Sequence, residues 1–466
     1  MPFEMTDILR DYDVYPKVFR CGKETEIHVR PTGCRLQFVP GNTYRLIVCA
    51  LEQGHPAQFP LTADFRSREI EAGADGGFVF SHAFDSEQMY FLRFEDMEGK
   101  RIVQFPVYAV EDDLAERYPF LGDLHMHTNR SDGSQTPPVV AANYRRNGYD
   151  FTVISDHHRY WPSLEAIDAY KDVPLEFTIV PGEEVHMPPV DGMQNAVHIV
   201  NFGGEYSVNA LTDGASMEEK GSDPKYRSLK GECPEYMPKE KYDEMMRALM
   251  AQADLPEGID PYPAVCCKWV FDQIKQANGL GIFPHPTWIS NVFNVSEKFI
   301  EYLMETQPFD AFEVLGGENY FEHNGFQTVR YYEDRAKGRR YPVVGSTDSH
   351  NSYESSRNSL ICSTIIFAPE NERTALIASV KDFYSVAVDT ISKEFRLVGE
   401  NRLVRYGCFL LKNYFPLHDE LCAEEGRLMK QYVTGTQAER EEAAATLRVI
   451  HGRMKKLREK IFAFYS

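Results

Sequence analysis

The sequence lacks the features that mark a membrane-spanning or exported protein. Its 466 residues contain no run of about 18 apolar residues that would form a transmembrane helix. The opening residues, MPFEMTDILRDYDV, provide neither the basic region nor the apolar stretch of a signal peptide. We therefore expect a cytoplasmic protein with no membrane partner.

Positive charge and paired cysteines are also scarce. Lys and Arg number 50 against 70 Asp and Glu, so the formal net charge is −20. This balance argues against nucleic acid as the main partner, because binding to phosphate backbones depends on clustered basic residues. The nine cysteines form no C-x-x-C pair, and the adjacent Cys266 and Cys267 fit neither a thiolate zinc site nor a redox motif. His, Asp and Glu remain as the candidate metal ligands.

The hydrophobic pattern divides the chain into regions. A length of 466 residues predicts two or three domains, since single cores rarely exceed about 300 residues. Residues 1–116 alternate β-prone runs with Gly, Pro and Asp breaks, which predicts a small β-sandwich domain. We interpret this domain as a packing or oligomer-contact module, with a lid or substrate-binding module as the alternative.

Residues 117–395 show a different pattern, in which strands and helices alternate. Pro137 opens a predicted helix that ends near Gly148, and strands are predicted at 280–283 and 311–315. Because candidate ligands follow several strands, we predict a parallel α/β barrel of the TIM type, whose sites lie at the C-terminal strand ends. An open doubly wound sheet is the alternative, but the chain shows no Gly-rich dinucleotide loop.

Two further regions interrupt or follow this pattern. Residues 204–263 are polar and broken by Gly and Pro, and they predict an insertion that is either an active-site lid or a disordered segment. Residues 396–466 predict a helical C-terminal extension. Its heptad-spaced apolar residues are too few for a coiled coil, so we expect it to pack on the barrel or across a dimer contact. The sequence leaves open whether the protein forms a homo-oligomer.

Histidines and carboxylates recur at the ends of the predicted strands. In a strand, residues i and i+2 project from the same face. His125 with His127, and Asp348 with His350, can therefore each offer two ligands to one ion. A lone histidine is more often a structural residue, but two such pairs in one chain indicate a metal site.

The order of these motifs resembles that of the PHP family, named for polymerase and histidinol phosphatase. The resemblance rests on Gly-Asp-Leu-His-x-His, the following Ser-Asp-Gly and the closing Asp-x-His, and it spans about residues 120–366. It implies a distorted (β/α)7 barrel that holds two or three divalent ions (Mn, Zn or Fe). It also implies phosphoester hydrolysis by a hydroxide that bridges the metals. The ligands implied by the resemblance are His125, His127, Asp132, His157, Glu184, His198, His285, Asp348 and His350, with Glu184 bridging.

Residues next to the motifs are candidates for catalysis and substrate binding. His158 is a candidate acid or substrate contact, although such a histidine is more often structural, and Asp348 is a candidate catalytic residue as well as a ligand. Arg159, Arg130 and Arg357 are candidate phosphate contacts, because a guanidinium group offers bidentate geometry. Each of these arginines, taken alone, is more often a surface residue.

Further polar residues are expected behind the ligands or elsewhere in the structure. Asp123 is expected to orient a ligand imidazole. Glu183 is expected to face away from the cleft or to support it, because only one of two adjacent strand residues can face the cleft. Glu313 ends a predicted strand and is a weaker candidate for a supporting role. His186 and His323 are interpreted as structural residues.

The ligand set favours a metal-dependent hydrolase, first of all a phosphatase-like phosphoesterase that acts on a small phosphorylated molecule. A carbamate or carboxylic ester hydrolase on the same metal site is one alternative, because the aromatic residues, 13% of the chain, can form an apolar substrate pocket. A catalytically silent binding or structural module is another, although every expected ligand position is filled. The wider amidohydrolase group also begins with His-x-His, but it closes with a single Asp, unlike the Asp348-x-His350 pair.

Overall fold

The chain folds into two compact units. The computed structural model describes residues 12–32, 38–52, 67–212, 236–316, 321–352, 362–389 and 396–465. The first unit comprises Met1–Tyr118, Val404–Leu421 and Gly452–Ser466, and the second comprises Pro119–Leu403 and Cys422–His451. The C-terminal segment, which the sequence predicts as an extension, contributes to both units.

The first unit contains two β-sheets. Its strands are β1 (Tyr12–Tyr15), β2 (Val18–Arg20), β3 (Thr25–Pro31), β4 (Thr43–Ala50), β5 (Ser67–Glu71), β6 (Phe78–His82), β7 (Gln88–Glu95) and β8 (Arg101–Val110). The sheet orders are β1-β3-β6 and β2-β8-β7-β4-β5, with only β2 and β8 parallel among the described pairs. Both sheets contribute to one core, in which the ring centroids of Phe38 and Phe78 lie 4.6 Å apart. The sandwich arrangement stays a prediction.

The second unit contains two larger sheets. Its strands are β9 (Tyr118–Asp123), β10 (Phe151–Val153), β11 (Thr178–Val180), β12 (Gly182–Val185), β13 (Ile199–Phe202), β14 (Leu280–Phe283), β15 (Ala311–Leu315), β16 (Val343–Gly345), β17 (Cys362–Ala368), β18 (Ser385–Asp389) and β19 (Arg396–Gly399). The sheet orders are β11-β10-β9-β17-β18-β19 and β12-β13-β14-β15-β16. The strands predicted at 280–283 and 311–315 are therefore confirmed.

These two sheets are mixed rather than uniformly parallel. β9, β10 and β11 are parallel, as are β14, β15 and β16. β13 runs antiparallel to both β12 and β14. The connection from β12 to β13, residues 186–198, is described throughout and contains no helix, so the chain returns without the crossover that parallel strands need. The α/β class is confirmed, but the sheets are not purely parallel as predicted.

Single backbone bridges join the two sheets where their strands end. Met126 pairs with Ser349, and His157 pairs with Glu184, each in parallel orientation. The amide of Glu184 also donates to the carbonyl of Ser155 at 3.0 Å. The segments that follow β9 and β10 therefore contact the segment after β16 and strand β12. A closed barrel stays a prediction.

Helices begin and end at local signals in the sequence. Pro137 and Pro138 occupy the first turn of the helix Pro137–Arg146, where a backbone N–H is not needed, and Gly148 follows this helix at φ 94°. The hydroxyl of Ser296 caps the helix Glu297–Thr306, and Thr436 forms a capping box at the helix Gln437–Ile450. No helix in the described part of the chain combines the length and apolar content that a membrane crossing requires. The helices are α1 (Pro137–Arg146), α2 (Trp161–Ala169), α3 (Lys239–Gln252), α4 (Pro261–Gln276), α5 (Glu297–Thr306), α6 (Phe321–Ala336), α7 (Arg373–Lys381), α8 (Asn401–Asn413), α9 (Phe415–Thr434), α10 (Gln437–Ile450) and α11 (Arg453–Ile461).

The predicted insertion at 204–263 is partly packed into the second unit. Residues 204–212 are buried except for Glu205. Helix α3 packs on α4, where the hydroxyls of the buried Tyr242 and Tyr262 lie 3.2 Å apart. Residues 213–235 lie outside the described residues, so a lid role for the insertion stays a prediction.

In the first unit, strand β2 and the buried Lys17 that precedes it form backbone hydrogen bonds with the C-terminal end of the chain. The amide of Lys17 donates to the carbonyl of Ile461 at 2.8 Å, and the amide of Ala463 donates to the carbonyl of Val18 at 2.9 Å. Lys17 is only 2% exposed. Burial lowers the pKa of Lys17 to about 8, against a smaller opposing effect of Asp13. A charged ammonium at this position therefore reduces stability at neutral pH.

We expect Lys17→Met to stabilise the first unit at neutral pH, by up to about 3 kcal/mol, because Met has a similar volume and no charge. The pKa of Lys17 is lower in the folded state, so the cost of burial is fully present below pH 8 and falls as pH rises toward the unfolded value of 10.5. The gain measured by denaturant unfolding should therefore shrink at alkaline pH. The exposed Lys23, changed to Met, provides the control. A destabilised Lys17→Met at neutral pH would contradict the prediction.

Candidate metal centre

The directions of the strands bring the predicted ligands to one edge of the second unit. His125, His285 and Asp348 follow the ends of β9, β14 and β16, and Glu184 lies near the end of β12. His198 instead precedes β13. Since β13 runs antiparallel to β12 and β14, its start lies at the edge where those strands end. Ligands before and after strands thereby meet at the same edge.

The first His-x-His pair faces two carboxylates. The Nε2 atoms of His125 and His127 lie 3.3 Å apart. Asp348 Oδ1 lies 2.9 Å from His127 Nε2 and 3.3 Å from His125 Nε2. Glu184 Oε2 lies 3.4 Å and 3.5 Å from the same two nitrogens. Asp348 of the second pair thus lies against the first pair, although the sequence separates it from His127 by 221 residues.

Glu184 links this group to further imidazoles. Its Oε1 lies 2.5 Å from His198 Nδ1 and 3.7 Å from His285 Nε2. Its Oε2 lies 2.7 Å from His157 Nδ1. The two oxygens of one buried carboxylate therefore face different imidazoles, as a bridging ligand would.

A third group lies beside His127 and is accessible to solvent. Asp132 Oδ2 lies 3.5 Å from His157 Nε2, and Asp132 Oδ1 lies 3.4 Å from His350 Nε2. The rings of His157 and His350 stack against the ring of His127, with centroids 4.3 Å and 4.5 Å away. The side chains of Asp132 and His350 are 55% and 38% exposed. This group is the open side of the cluster.

All nine predicted ligands lie in one continuous cluster. Within it, groups of three or four residues each place one ligand atom within 4.8 Å of the others, close enough to share an ion. Such groups include His127, Asp132, His157 and His350; His125, His127 and Glu184; and His125, His285 and Asp348. The assignment of individual ligands stays a prediction.

The donor atoms of the cluster fit divalent metal ions. Six imidazole nitrogens lie within 3.8 Å of Glu184. Among the described residues, no hydrogen bond of good geometry reaches either oxygen of Glu184 or Nε2 of His285, although all three atoms are buried and lie near imidazole or carboxylate groups. Such unsatisfied buried groups are costly without a compensating charge. Imidazole and carboxylate donors together suit zinc, manganese and iron.

The carboxylates of the cluster are held in their ionised form. Burial raises the pKa of Glu184, but the charges of neighbouring imidazoles, His198 first, outweigh it and hold the pKa well below the usual range. Burial also raises the pKa of Asp348, and the charge of His125 leads the effects that bring it below the usual range. The cluster therefore offers negative charge to a cation, whose binding displaces protons from the imidazoles.

Of the two carboxylates expected behind the predicted ligands, Glu313 has the orienting role and Asp123 does not. Among the described residues, no imidazole ring is hydrogen-bonded to Asp123, which accepts hydrogen bonds from the amides of His125 at 3.1 Å and Thr347 at 3.0 Å. The ring of His125 is instead held by Glu313, whose Oε2 lies 3.1 Å from Nδ1. Glu313 Oε1 also accepts from the amide of His285 at 3.3 Å. Asp123 thus fixes the backbone, and Glu313 fixes the ligand.

Glu183 was expected either to face away from the cleft or to support it, and the structure shows it behind the cluster in a supporting position. It is fully buried and accepts hydrogen bonds from Ser207 Oγ at 2.7 Å, the amide of Val208 at 2.5 Å and Asn209 Nδ2 at 2.9 Å. Adjacent residues in β12 point to opposite faces, so Glu183 anchors residues 207–209 while Glu184 faces the imidazoles.

The turn that carries Asp132 is shaped by another buried carboxylate. Asp156 accepts hydrogen bonds from the amide and hydroxyl of Thr128 at 2.9 Å and 2.6 Å. It also accepts from the amide of Ser131 at 3.1 Å. A Cβ atom at Gly133 would lie 2.8 Å from the backbone of His127, so the tight turn requires glycine there.

The residues predicted to bind substrate lie at the rim or outside the described residues. His158 is exposed, with its ring centroid 4.7 Å from that of His186. The guanidinium of Arg130 donates to both carboxylate oxygens of Glu165, at 2.9 Å and 2.7 Å, so its charge is already compensated. Arg159 donates to the backbone carbonyl of Arg130. Arg357 lies outside the described residues. Phosphate binding by these arginines stays a prediction.

One residue of the cluster was not recognised from the sequence. His186 Nε2 lies 2.9 Å from His157 Nδ1 and 3.8 Å from Glu184 Oε2. Its position two residues after Glu184 in extended chain places it on the same face, which is the signal that could have revealed it. The sequence analysis interpreted His186 as a structural residue, and the structure places it in contact with the cluster.

Comparisons with known proteins give distant similarities only. No family model and no curated protein matches the chain. A two-domain protein from Bacteroides vulgatus, described as containing a predicted PHP-like metal-dependent phosphoesterase, is 14% identical over 58% of this chain, with a TM-score of 0.37. The matched region covers 65% of that protein, so the chain spans less than two thirds of its length.

Two other solved structures are also similar to the chain. An amidohydrolase from Chromobacterium violaceum, with bound sulfate and no metal, is 18% identical over 51% of this chain and 89% of its own, with a TM-score of 0.31. An endonuclease Q complex with an abasic DNA duplex is 9% identical over 72% of this chain and 86% of its own, with a TM-score of 0.33. Because these scores lie below 0.5, the functional argument rests on the cluster itself.

We expect Glu313→Ala to weaken metal binding about 10- to 100-fold, because loss of the group that orients a ligand imidazole typically has this effect. Glu313→Gln should have a smaller effect, since an amide oxygen can still accept the Nδ1–H of His125. Competition with a chromogenic chelator measures the affinity. Glu322→Ala, an exposed residue of α6, is the control. Equal affinity in Glu313→Ala and the wild type would contradict the role of Glu313.

Proposed function

We propose that the chain is a metal-dependent hydrolase of the PHP type, acting as a phosphoesterase on a small phosphorylated molecule. The observation that carries the proposal is the position of Glu184. Both of its buried oxygens lie close to imidazole nitrogens, and none of the described residues forms a hydrogen bond of good geometry with them. The PHP-like motif order supports the same conclusion, because it supplies each of the nine ligands in sequence.

The proposed centre holds two or three divalent ions, with Mn, Zn and Fe as the candidates. Asp348 and the His-x-His pair would hold one ion, and Glu184 would share its second oxygen with an ion near His198. A third ion is favoured because His127, Asp132, His157 and His350 form a group of their own, in which Asp132 and His350 are exposed. Nine ligands also fit three ions better than two.

The bridges at the strand ends support the proposed barrel. Pairing within the sheets connects β9 to β10 and runs from β12 through β16. The bridge between His157 and Glu184 connects the segment after β10 to β12, and that between Met126 and Ser349 connects the segment after β16 to the segment after β9. These contacts would complete a ring of seven strands, which we propose is the distorted (β/α)7 barrel.

The residues around the centre would divide the tasks of hydrolysis. Divalent metals, when bound, lower the pKa of water and stabilise charge on phosphoryl oxygens. The buried side of the cluster, with His125 and Glu184, excludes bulk water, so substrate would approach from the exposed Asp132 and His350. The exposed His158 is the proposed acid, which would give a proton from a ring nitrogen to the leaving oxygen.

We expect the metal-loaded protein to hydrolyse at least one substrate in a panel of phosphomonoesters and cyclic phosphodiesters supplied with Mn, Zn or Fe. Asp348→Asn should abolish turnover while the protein stays folded, because it removes a ligand charge. Asp260→Asn is the matched control, since Asp260 is exposed at the N-terminus of α4. No turnover by protein shown to carry metal would overturn the proposal. If Asp348→Asn instead fails to stay folded, the result would favour a silent module in which the metal stabilises the structure.

A second candidate function is hydrolysis of a carboxylic ester or carbamate on the same centre. A cavity of about 440 Å³ is lined by Thr287, by apolar residues that include Phe293, Val295 and Val329, and by the charged Glu297, Arg330 and Glu333. This volume suits a small apolar group. The cavity favours a substrate with an apolar part, which a small sugar phosphate would lack.

If an apolar acyl group occupies this cavity, Val329→Trp should raise KM several-fold for long-chain aryl esters and leave KM for aryl phosphates unchanged. Val329 is 57% exposed, so the larger side chain narrows the cavity without disturbing the core. Val449→Trp, at a residue 76% exposed on α10, is the control. Faster cleavage of aryl phosphates than of aryl esters or carbamates would exclude this candidate.

A further inference from the structure

His157 is contacted at both ring nitrogens. Its Nε2 lies 3.5 Å from Asp132 Oδ2 on the open side of the cluster. Its Nδ1 lies 2.7 Å from Glu184 Oε2 and 2.9 Å from His186 Nε2. Glu184 Oε2 and His186 Nε2 are therefore alternative acceptors for a proton on Nδ1 of His157.

The choice between the two acceptors decides what Glu184 can do. A histidine that binds a metal through one nitrogen keeps its proton on the other nitrogen and donates it. If His157 donated to Glu184, the hydrogen bond would occupy an oxygen that the metal centre needs. If His157 donates to His186, both oxygens of Glu184 stay available to cations.

Side chains of neighbouring residues hold the backbone and the ring of His186 in place for this contact. The amide of His186 donates to Asn209 Oδ1 at 3.0 Å, and Asn209 Nδ2 donates in turn to Glu183 Oε2 at 2.9 Å. The ring of His186 packs against that of His198, with centroids 4.5 Å apart. The buried Glu183 thus fixes the position of His186 through residue 209, and His186 contacts His157.

We infer that His186 is a positioning residue that accepts the Nδ1–H of His157 and thereby directs His157 Nε2 to a cation shared with Asp132 and His350. The inference rests on the proposed metal centre and adds a residue that lies outside its nine ligands. In this role His186 binds no ion itself. It sets which nitrogen of His157 is the ligand and keeps Glu184 free to bridge.

The test compares His186→Phe with His186→Gln. Phe fills a similar volume but accepts no hydrogen bond, whereas the amide oxygen of Gln can take the place of Nε2. We expect His186→Phe to lose about 10- to 100-fold in affinity for the most weakly held ion, without loss of the others. His186→Gln should recover most of that affinity. Elemental analysis after dialysis against graded chelator, with Zn as the probe, counts the ions.

The controls separate this inference from the proposed function. His451→Phe, an exposed residue that ends α10, should retain the full metal content. Wild-type protein that binds no Zn would overturn the proposed function and this inference with it. Wild-type protein that binds Zn while His186→Phe matches its affinity would overturn the inference alone. Equal losses in the Phe and Gln variants, with unchanged thermal unfolding of the metal-free proteins, would overturn the role of His186 as an acceptor.

Discussion

The site depends on one buried carboxylate. Glu184 is fully buried, yet its oxygens contact imidazoles rather than the hydroxyls and amides that usually satisfy a buried acid. Its neighbour Glu183 shows the contrast, since it is equally buried and accepts several hydrogen bonds from residues 207–209. The strand places one acid in a satisfied structural environment and the other where only positive charge can balance it. This difference between adjacent residues is the strongest physical indication of a metal centre.

The surrounding polar groups fix the backbone that carries the ligands. Asp123 connects the first motif to Thr347, just before the closing motif, through backbone amides. Asp156 shapes the turn before Asp132, and Glu313 orients the ring of His125. Each is a carboxylate whose hydrogen bonds are made by protein groups. The predicted ligands are thus held by an outer layer of acids, which would lower the cost of ordering them for an ion.

Local sequence patterns, such as short apolar runs and paired prolines, predicted many of the strands and helices. Strands β14 and β15 were predicted at the bounds that the structure has, because short apolar runs between Gly, Pro and helix ends leave little alternative. Helix α1 was recognisable from its opening prolines. The antiparallel course of β13 was not predicted, since strand direction depends on long-range pairing that leaves no periodic trace. That course explains why His198 reaches the site from the start of a strand.

The sequence by itself predicted a metal centre built from His, Asp and Glu rather than Cys. The i, i+2 spacing of His125/His127 and Asp348/His350 indicated two ligand pairs, and the resemblance to the PHP family implied the full set of nine residues. Only the tertiary structure decided which polar neighbours support the ligands. Glu313 and His186 contact rings that lie far away in the chain, whereas Asp123 and Arg130 find partners elsewhere. Contacts between side chains depend on how sheets meet at their edges, and no local pattern encodes that.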